Sequence, residues 1–210
     1  TRPGQKHLIK SIAVEIKEKR NDSRGTTMHL EEKTISSQLI YDGKIIKVKK
    51  DTVLLENGTN AFREVIMHPG GVCIVPITHD DEVIFVRQFR YPYSRQLLEI
   101  PAGKLDAGEK PLECGKRELL EETGCTAKEY TFLGELYPTP AYLDEVIYMY
   151  MATDLSYAEQ NLDEDEFLEV EYIPLKKAVN MVLGGEIKDS KTQTALLKAH
   201  LLLSGGNSPN

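Results

Sequence analysis

The chain has 210 residues, 40% of them hydrophobic and 28% charged, and a formal charge of −7. That length suits one domain with a sizeable core, or one domain with a small appendage. The acidic balance argues against a general nucleic-acid binder, which needs a basic surface, and no apolar run approaches the roughly 20 residues that span a bilayer.

Neither nucleic acid nor a membrane is the expected partner, while an acidic chain can still take a small anionic substrate if metal ions bridge the two. Cys73, Cys114 and Cys125 are an odd number in separate contexts, outside any CxxC pair or Cys/His cluster that could hold zinc. This usage fits a reducing cytoplasm.

Residues 1–27 hold seven Lys/Arg and three Asp/Glu, a local +4, so the remainder carries −11. The leader lacks the apolar core and cleavage pattern of a signal peptide. It is expected to be an expression remnant, a mis-called start or a disordered arm. The alternative is a native basic arm whose LIKSIAVEI packs as an amphipathic segment. A domain-like passage begins at Met28.

From Ser36 to Leu55 two short β-rich stretches follow, with Asp42-Gly43 and Asn57-Gly58 as turn signals, which predicts a hairpin-rich N-terminal region. AFREVIMH, GVCIVPIT and DEVIFVRQF then read as strands bounded by Pro69-Gly70-Gly71 and His79-Asp80-Asp81. Residues 111–123 switch to helical spacing, with Pro111 suited to the first turn and Gly124 to the position past the end. Strands are predicted at TFLGELY, EVIYMYMA and FLEVEYIPL, then helices at LKKAVNMVL and KTQTALLKAHLLL, and a disordered tail SGGNSPN. Strands on both sides of a central helix, with helices closing the chain, predict an α/β fold of stacked layers.

The chemistry concentrates in one run. Gly103 is followed after five residues by Glu109, and after seven more by Arg117, Glu118, Leu119, then Glu121, Glu122, Gly124 and the small apolar Cys125. On a helix Glu118, Glu121 and Glu122 lie three and four apart, so their carboxylates project toward one sector. Such like charges weaken a helix by a few tenths of a kcal/mol per pair, about the size of one surface contact, and hard cations that prefer oxygen are the natural compensation. Mg²⁺ fits, with Mn²⁺ as the variant. Arg117 can pair with Glu121 one turn on, or reach back to Glu109. Glu-rich helices are usually solvated faces, but glycines and Glu109 in register argue for a built site.

This run, GKLDAGEKPLECGKRELLEETGC, resembles the motif of the Nudix hydrolases. The resemblance implies a Nudix fold, a mixed β-sheet sandwiched between helices, with a small N-terminal β hairpin region. It divides the chain into the leader 1–27, an N-terminal β region 28–62 that exchanges between subunits, and a hydrolase domain 63–205. It further implies that the carbonyl of Ala102 and the side chains of Glu118 and Glu122 hold metal, with Glu121 close by and sometimes a ligand. The bond cleaved is P–O–P, by metal-activated water.

Pro140, 15 residues after Cys125, together with HPGGVCIVPIT, VRQFRYP and LLEIPAGKLDAGE, is similar to the bacterial ADP-ribose pyrophosphatases. That subfamily releases AMP and ribose 5-phosphate. By position, Glu145 matches a loop general base, with Glu121 as the rival base and Arg117 holding the catalytic carboxylates. Arg90 would contact the diphosphate or terminal ribose, and Arg63 would clamp phosphate or cover the adenine. Tyr41 would stack on adenine, and Glu99 would orient the loop or hydrogen-bond the ligand. Each has an ordinary alternative: Arg63 and Arg90 as surface ion-pair partners, Tyr41 as a packed strand residue, Pro140 as a turn residue and Glu145 as a solvated one. The five histidines show no metal-ligand spacing, and His68 reads as a strand-end residue. The same relatives are homodimers with shared sites.

Two rival functions stand beside this one. The first is a Nudix pyrophosphatase for another nucleoside diphosphate derivative: a UDP- or GDP-sugar, a dinucleoside polyphosphate or NADH. The second is a non-catalytic nucleotide sensor, disfavoured because such domains commonly lose motif glutamates and none is missing here.

Overall fold

The structure is a computed structural model that describes residues 30–162 and 167–205. The leader 1–27 and the tail from Gly206, on which two sequence expectations fall, lie outside the described residues.

Three strands open the described chain, β1 (Lys33–Asp42), β2 (Lys47–Leu54) and β3 (Asn60–Met67), in a sheet of that order. Both predicted turns are present. Gly43 N–H donates to the Ile46 carbonyl at 3.0 Å, closing the turn after Asp42. At the second turn Gly58 takes φ +80°, and the Asn57 side chain accepts from Thr59 N–H at 3.0 Å. The result is a meander rather than two separate stretches, because β2 runs through the point where the sequence pattern breaks. By compactness the chain divides into two units: residues up to Gln38 with Lys50–Arg63, and Leu39–Lys49 with everything from Glu64 on. In the first unit, Arg63 grips the Glu32 carboxylate with two donors and Lys50 stands 4.4 Å above the Phe62 ring.

The second unit holds two sheets. One has the order β10-β5-β6, all antiparallel, from β5 (Glu82–Arg90), β6 (Arg95–Glu99) and β10 (Leu168–Pro174). The other has the order β7-β4-β9-β8, from β4 (Gly71–Pro76), β7 (Ala102–Lys104), β8 (Cys125–Leu136) and β9 (Ile147–Tyr157). Here β4 and β9 are parallel while the other pairs are antiparallel, so the sheet is mixed as expected.

β4 is buried along its whole length, as a strand covered on both faces must be. Its alternation sorts the core into two layers. Cys73 and Val75 face one cluster with Phe85, Met149 and the closing helices α2 (Leu175–Leu183) and α3 (Ser190–Leu203). Val72 and Ile74 face the other, with Leu119 and Cys114 of α1 (Pro111–Thr123).

The helix α1 has the bounds the sequence predicts. Pro111 occupies its first position, and Gly124 ends it at φ +67° with its N–H on the Leu120 carbonyl at 2.8 Å. A Cβ at Gly124 would also lie 2.6 Å from the Ala158 carbonyl, so only glycine fits. Gly115 lets the helix sit directly on Val72 and Ile74. This close seat leaves Glu118 and Glu121 of the same helix lining a cavity. No helix among the described residues is long and apolar enough to cross a membrane.

Candidate active site

The cavity of about 680 Å³ lies within the second unit and is of the size that takes a nucleotide-like ligand. Arg117, Glu118 and Glu121 of α1 line it, with Ala102 and Gly103 of β7 and Glu145 of the loop between β8 and β9. Arg90 and Glu99 line it too, and so do the first residues of α3.

Arg117 organises the acidic wall. Its Nε and Nη2 donate to the two oxygens of Glu109, each at 3.1 Å, in a fork-to-fork pair. Nη1 donates to Glu118 at 2.7 Å and to Glu121 at 2.9 Å. One guanidinium therefore touches three carboxylates, and both sequence alternatives for Arg117, pairing with Glu121 and reaching Glu109, are realised together. The compensation that the sequence reading assigned to a cation is supplied in part by this arginine. Arg117's hydrogen bonds, aided by that of Asp106 N–H, bring the Glu109 pKa from 4.5 down to about 2.

Glu118 lies in a cradle left by Gly103, where a Cβ would stand 1.8 Å from the carboxylate carbon. Glu122 points inward, is 3% exposed, and accepts the Ala102 N–H at 3.0 Å. Among the described residues no three His, Cys, Asp or Glu side chains gather as a ready ligand cluster. The donor chemistry nevertheless suits a hard divalent cation: Glu118 and Glu121 share one wall with Ala102, and all offer oxygen.

In the same cavity, Arg90 donates through Nε and Nη2 to the two oxygens of Glu99, both at 2.7 Å. Lys191 also donates to Glu99 and lies 3.1 Å from Asp189. Asp189 caps α3 by accepting from Thr192 N–H at 2.9 Å and from its hydroxyl at 2.6 Å. The Thr192 hydroxyl oxygen accepts from Ile100 N–H at 3.0 Å. The start of α3 is thereby tied to the strand that leads into Ala102. The Glu99 carboxylate is buried and engaged by two cations, Arg90 and Lys191. Asp189 and Lys191 were not singled out by sequence reading, since a lysine and an aspartate at a helix start look like an ordinary cap.

Burial disfavours the Glu99 charge, but Arg90 and Lys191 outweigh it and bring the pKa from 4.5 down to about 2. Burial likewise works against Lys191, whose pKa is nevertheless held above its usual value by Asp189 and Glu99. Glu99 is lower in the folded protein than unfolded, so its stabilising contribution is complete above pH 4.5 and is lost as pH falls through about 2. We expect Glu99→Gln to destabilise the protein by roughly 3 kcal/mol at neutral pH, the scale for breaking one member of a buried pair. The gap from wild type should shrink across that acid window. Urea unfolding at a series of pH values checks it, and a gap that stays constant down to pH 2 would contradict it.

The remaining predicted residues are more dispersed. Glu145 lines the cavity, with Oε1 3.4 Å from Nδ1 of His68. His68 thus does more than end a strand. Pro140 occupies an exposed turn in which Leu143 N–H donates to the Thr139 carbonyl at 3.1 Å, while Pro138 is the proline that lines the cavity. Tyr41 is exposed on β1, its ring lying over Gly43 where a Cβ would stand 2.5 Å from it. Arg63 is engaged by Glu32 in the first unit.

Residues 67–195 match the NUDIX domain family, and residues 32–66 match the nucleoside diphosphate sugar hydrolase N-terminal domain. The chain is 43% identical over 169 residues to an ADP-ribose pyrophosphatase of Bacillus subtilis, an alignment covering 80% of this chain and 91% of that protein. It is 39% identical over 168 residues to a methanol dehydrogenase activator of Bacillus methanolicus, covering 79% and 91%. A crystal structure of an ADP compounds hydrolase shares the fold, with a TM-score of 0.76 and 24% identity, over 87% of this chain and 100% of that one.

Proposed function

Because the chain belongs to the NUDIX family, we propose that it hydrolyses the diphosphate of ADP-ribose to AMP and ribose 5-phosphate. The observation that carries this reading is one cavity, among the described residues, that Arg117, Glu118, Glu121, Arg90 and Glu145 all line. The N-terminal match over 32–66 and the 43% identity to an ADP-ribose pyrophosphatase favour a nucleoside diphosphate sugar over other diphosphates.

Glu118, Glu122 and the Ala102 carbonyl, with Glu121 beside them, would hold Mg²⁺ or Mn²⁺. A divalent ion there supplies neutralisation of phosphoryl charge and activation of water. The chain's own groups do the rest. Arg117 fixes Glu118 and Glu121 against Glu109, so the acidic wall is set before substrate arrives. Arg90, steadied by Glu99, meets the diphosphate oxygens. Glu145 removes a proton from the attacking water as its oxygen bonds to phosphorus and the bridging oxygen leaves with its electron pair.

The division into a β region up to residue 62 and a hydrolase domain from 63 has the support of two successive family matches, although these meet four residues later, between 66 and 67. Two copies would associate through β1, every residue of which is exposed although Ile35, Leu39, Ile40 and Tyr41 are large and apolar. Tyr41 and Arg63 would then meet the adenine of a shared site. The reducing cytoplasm suits Cys73, Cys114 and Cys125, which are all free thiols and buried.

The test is release of AMP from ADP-ribose with Mg²⁺ or Mn²⁺, beside a panel of UDP- and GDP-sugars, dinucleoside polyphosphates and NADH. We expect ADP-ribose to lead the panel, EDTA to abolish turnover and Glu145→Gln to lower kcat at least about a hundredfold, the usual scale for a general base. Near-normal turnover by Glu145→Gln at every pH would remove Glu145 from that role.

A further inference from the structure

We propose that His68 is the positioning residue for Glu145, offering its Nδ1 lone pair to the carboxyl group that Glu145 becomes on taking a proton from water. This inference rests on the reading of Glu145 as general base and adds the group that accepts a hydrogen bond from it once it has taken the proton.

The loop carrying Glu145 is stapled to the chain around His68 on both sides. Ile66 N–H donates to the Tyr142 carbonyl at 2.7 Å, and Asp144 N–H donates back to the Ile66 carbonyl at 3.1 Å. His68 N–H donates to the Asp144 carboxylate at 2.8 Å. Beyond Glu145, the Val146 carbonyl accepts from Gly71 N–H at 2.9 Å. The backbone of Glu145 is therefore fixed, and its side chain is only one-fifth exposed.

The imidazole is set with equal care. Gly70, at φ +89°, turns its N–H back onto His68 Nδ1 at 3.1 Å. A nitrogen that accepts a hydrogen bond carries no proton, so in the neutral ring the proton sits on Nε2. Nδ1 faces Glu145 Oε1 at 3.4 Å. While the carboxylate is ionised, two acceptors face each other and no hydrogen bond joins them. After proton transfer, with an O–H of water broken and an O–H on Glu145 formed, the carboxyl can donate to Nδ1, sharing that lone pair with Gly70 N–H. The contact is thus stronger after the proton moves than before, which favours the step rather than substrate binding.

The test compares His68→Asn, His68→Leu and wild type for ADP-ribose hydrolysis with saturating Mg²⁺. Asparagine places an oxygen acceptor near the position of Nδ1, whereas leucine fills the space without one. We expect His68→Leu to lose about tenfold in kcat with KM within about twofold, and His68→Asn to stay within about threefold of wild type. In a Glu145→Gln background, His68→Leu should cost nothing further. Should His68→Leu fail to fold, His68→Ala, which likewise has no side-chain acceptor, takes its place against His68→Asn. Equal losses for Asn and Leu, no loss for Leu, or an undiminished loss in the Glu145→Gln background would each overturn the proposal while leaving Glu145 as base. Normal turnover by Glu145→Gln alone would instead remove the base reading, and the role of His68 with it.

Discussion

Glu122→Gln is expected to lower kcat for ADP-ribose at least about a hundredfold while leaving the fold intact. Glutamine is nearly isosteric with glutamate, and its carbonyl oxygen can still accept the Ala102 N–H that Glu122 takes at 3.0 Å. What the change removes is one negative charge at a position 3% exposed, where no water can replace it. If that charge serves a divalent ion, affinity and rate fall together, on the scale seen when a metal ligand is lost. A hundredfold corresponds to about 2.7 kcal/mol of transition-state stabilisation, well above the cost of a weakened hydrogen bond. Calorimetric Mg²⁺ titration beside steady-state kinetics separates the two effects. Turnover within threefold of wild type, with unchanged Mg²⁺ affinity, would rule Glu122 out as a ligand.

Gly103→Ala is expected to lose activity on the order of a hundredfold with the melting temperature nearly unchanged, and the geometry explains why the two should part. The added methyl would lie 1.8 Å from the carboxylate carbon and one oxygen of Glu118, so both groups cannot keep their places. The obstacle is the tip of a flexible side chain, which can swing away, and Gly103 stands in register with Val72 in an ordinary antiparallel pair. The fold therefore yields cheaply while the acidic wall loses a member. Misplacing a catalytic group by about 1 Å can cost a hundredfold. Gly124 is the contrasting case, since its methyl would meet the Ala158 backbone carbonyl at a positive φ, and that obstruction cannot swing away. Kinetics with thermal unfolding of Gly103→Ala decides the matter, and full activity would show that Glu118 need not lie where it does.

The elements that were legible in the sequence are those whose ends carry their own chemistry. Pro111 and Gly124 fix α1 locally, and the runs at 175–183 and 191–203 carry their apolar stripes alone. β6 and β7 escaped notice because five and three residues are too short for a period to show, and Pro101 sits between them. The first half of β8, CTAKEY, reads as polar and half of it is exposed; it is a strand because β9 pairs alongside it, and that pairing is non-local. The site divides in the same way. The contacts of Arg117 with Glu118 and Glu121 follow from helical spacing, whereas Lys191 meets Glu99 across 92 residues and His68 meets Glu145 across 77. No local pattern encodes either meeting.

The tie between α3 and the strand before Ala102 bears on how the molecule comes to life on the ribosome. Glu99 and Ile100 are synthesised 92 residues ahead of Lys191 and Thr192, the side chains that hold them. Until α3 emerges, a buried carboxylate waits with Arg90 as partner but without its lysine, and the backbone leading to Ala102 lacks its threonine. Competence therefore waits on α3, and a chain cut short upstream of residue 189 is expected to be inactive because Glu99 and Ile100 lack the side chains that hold them.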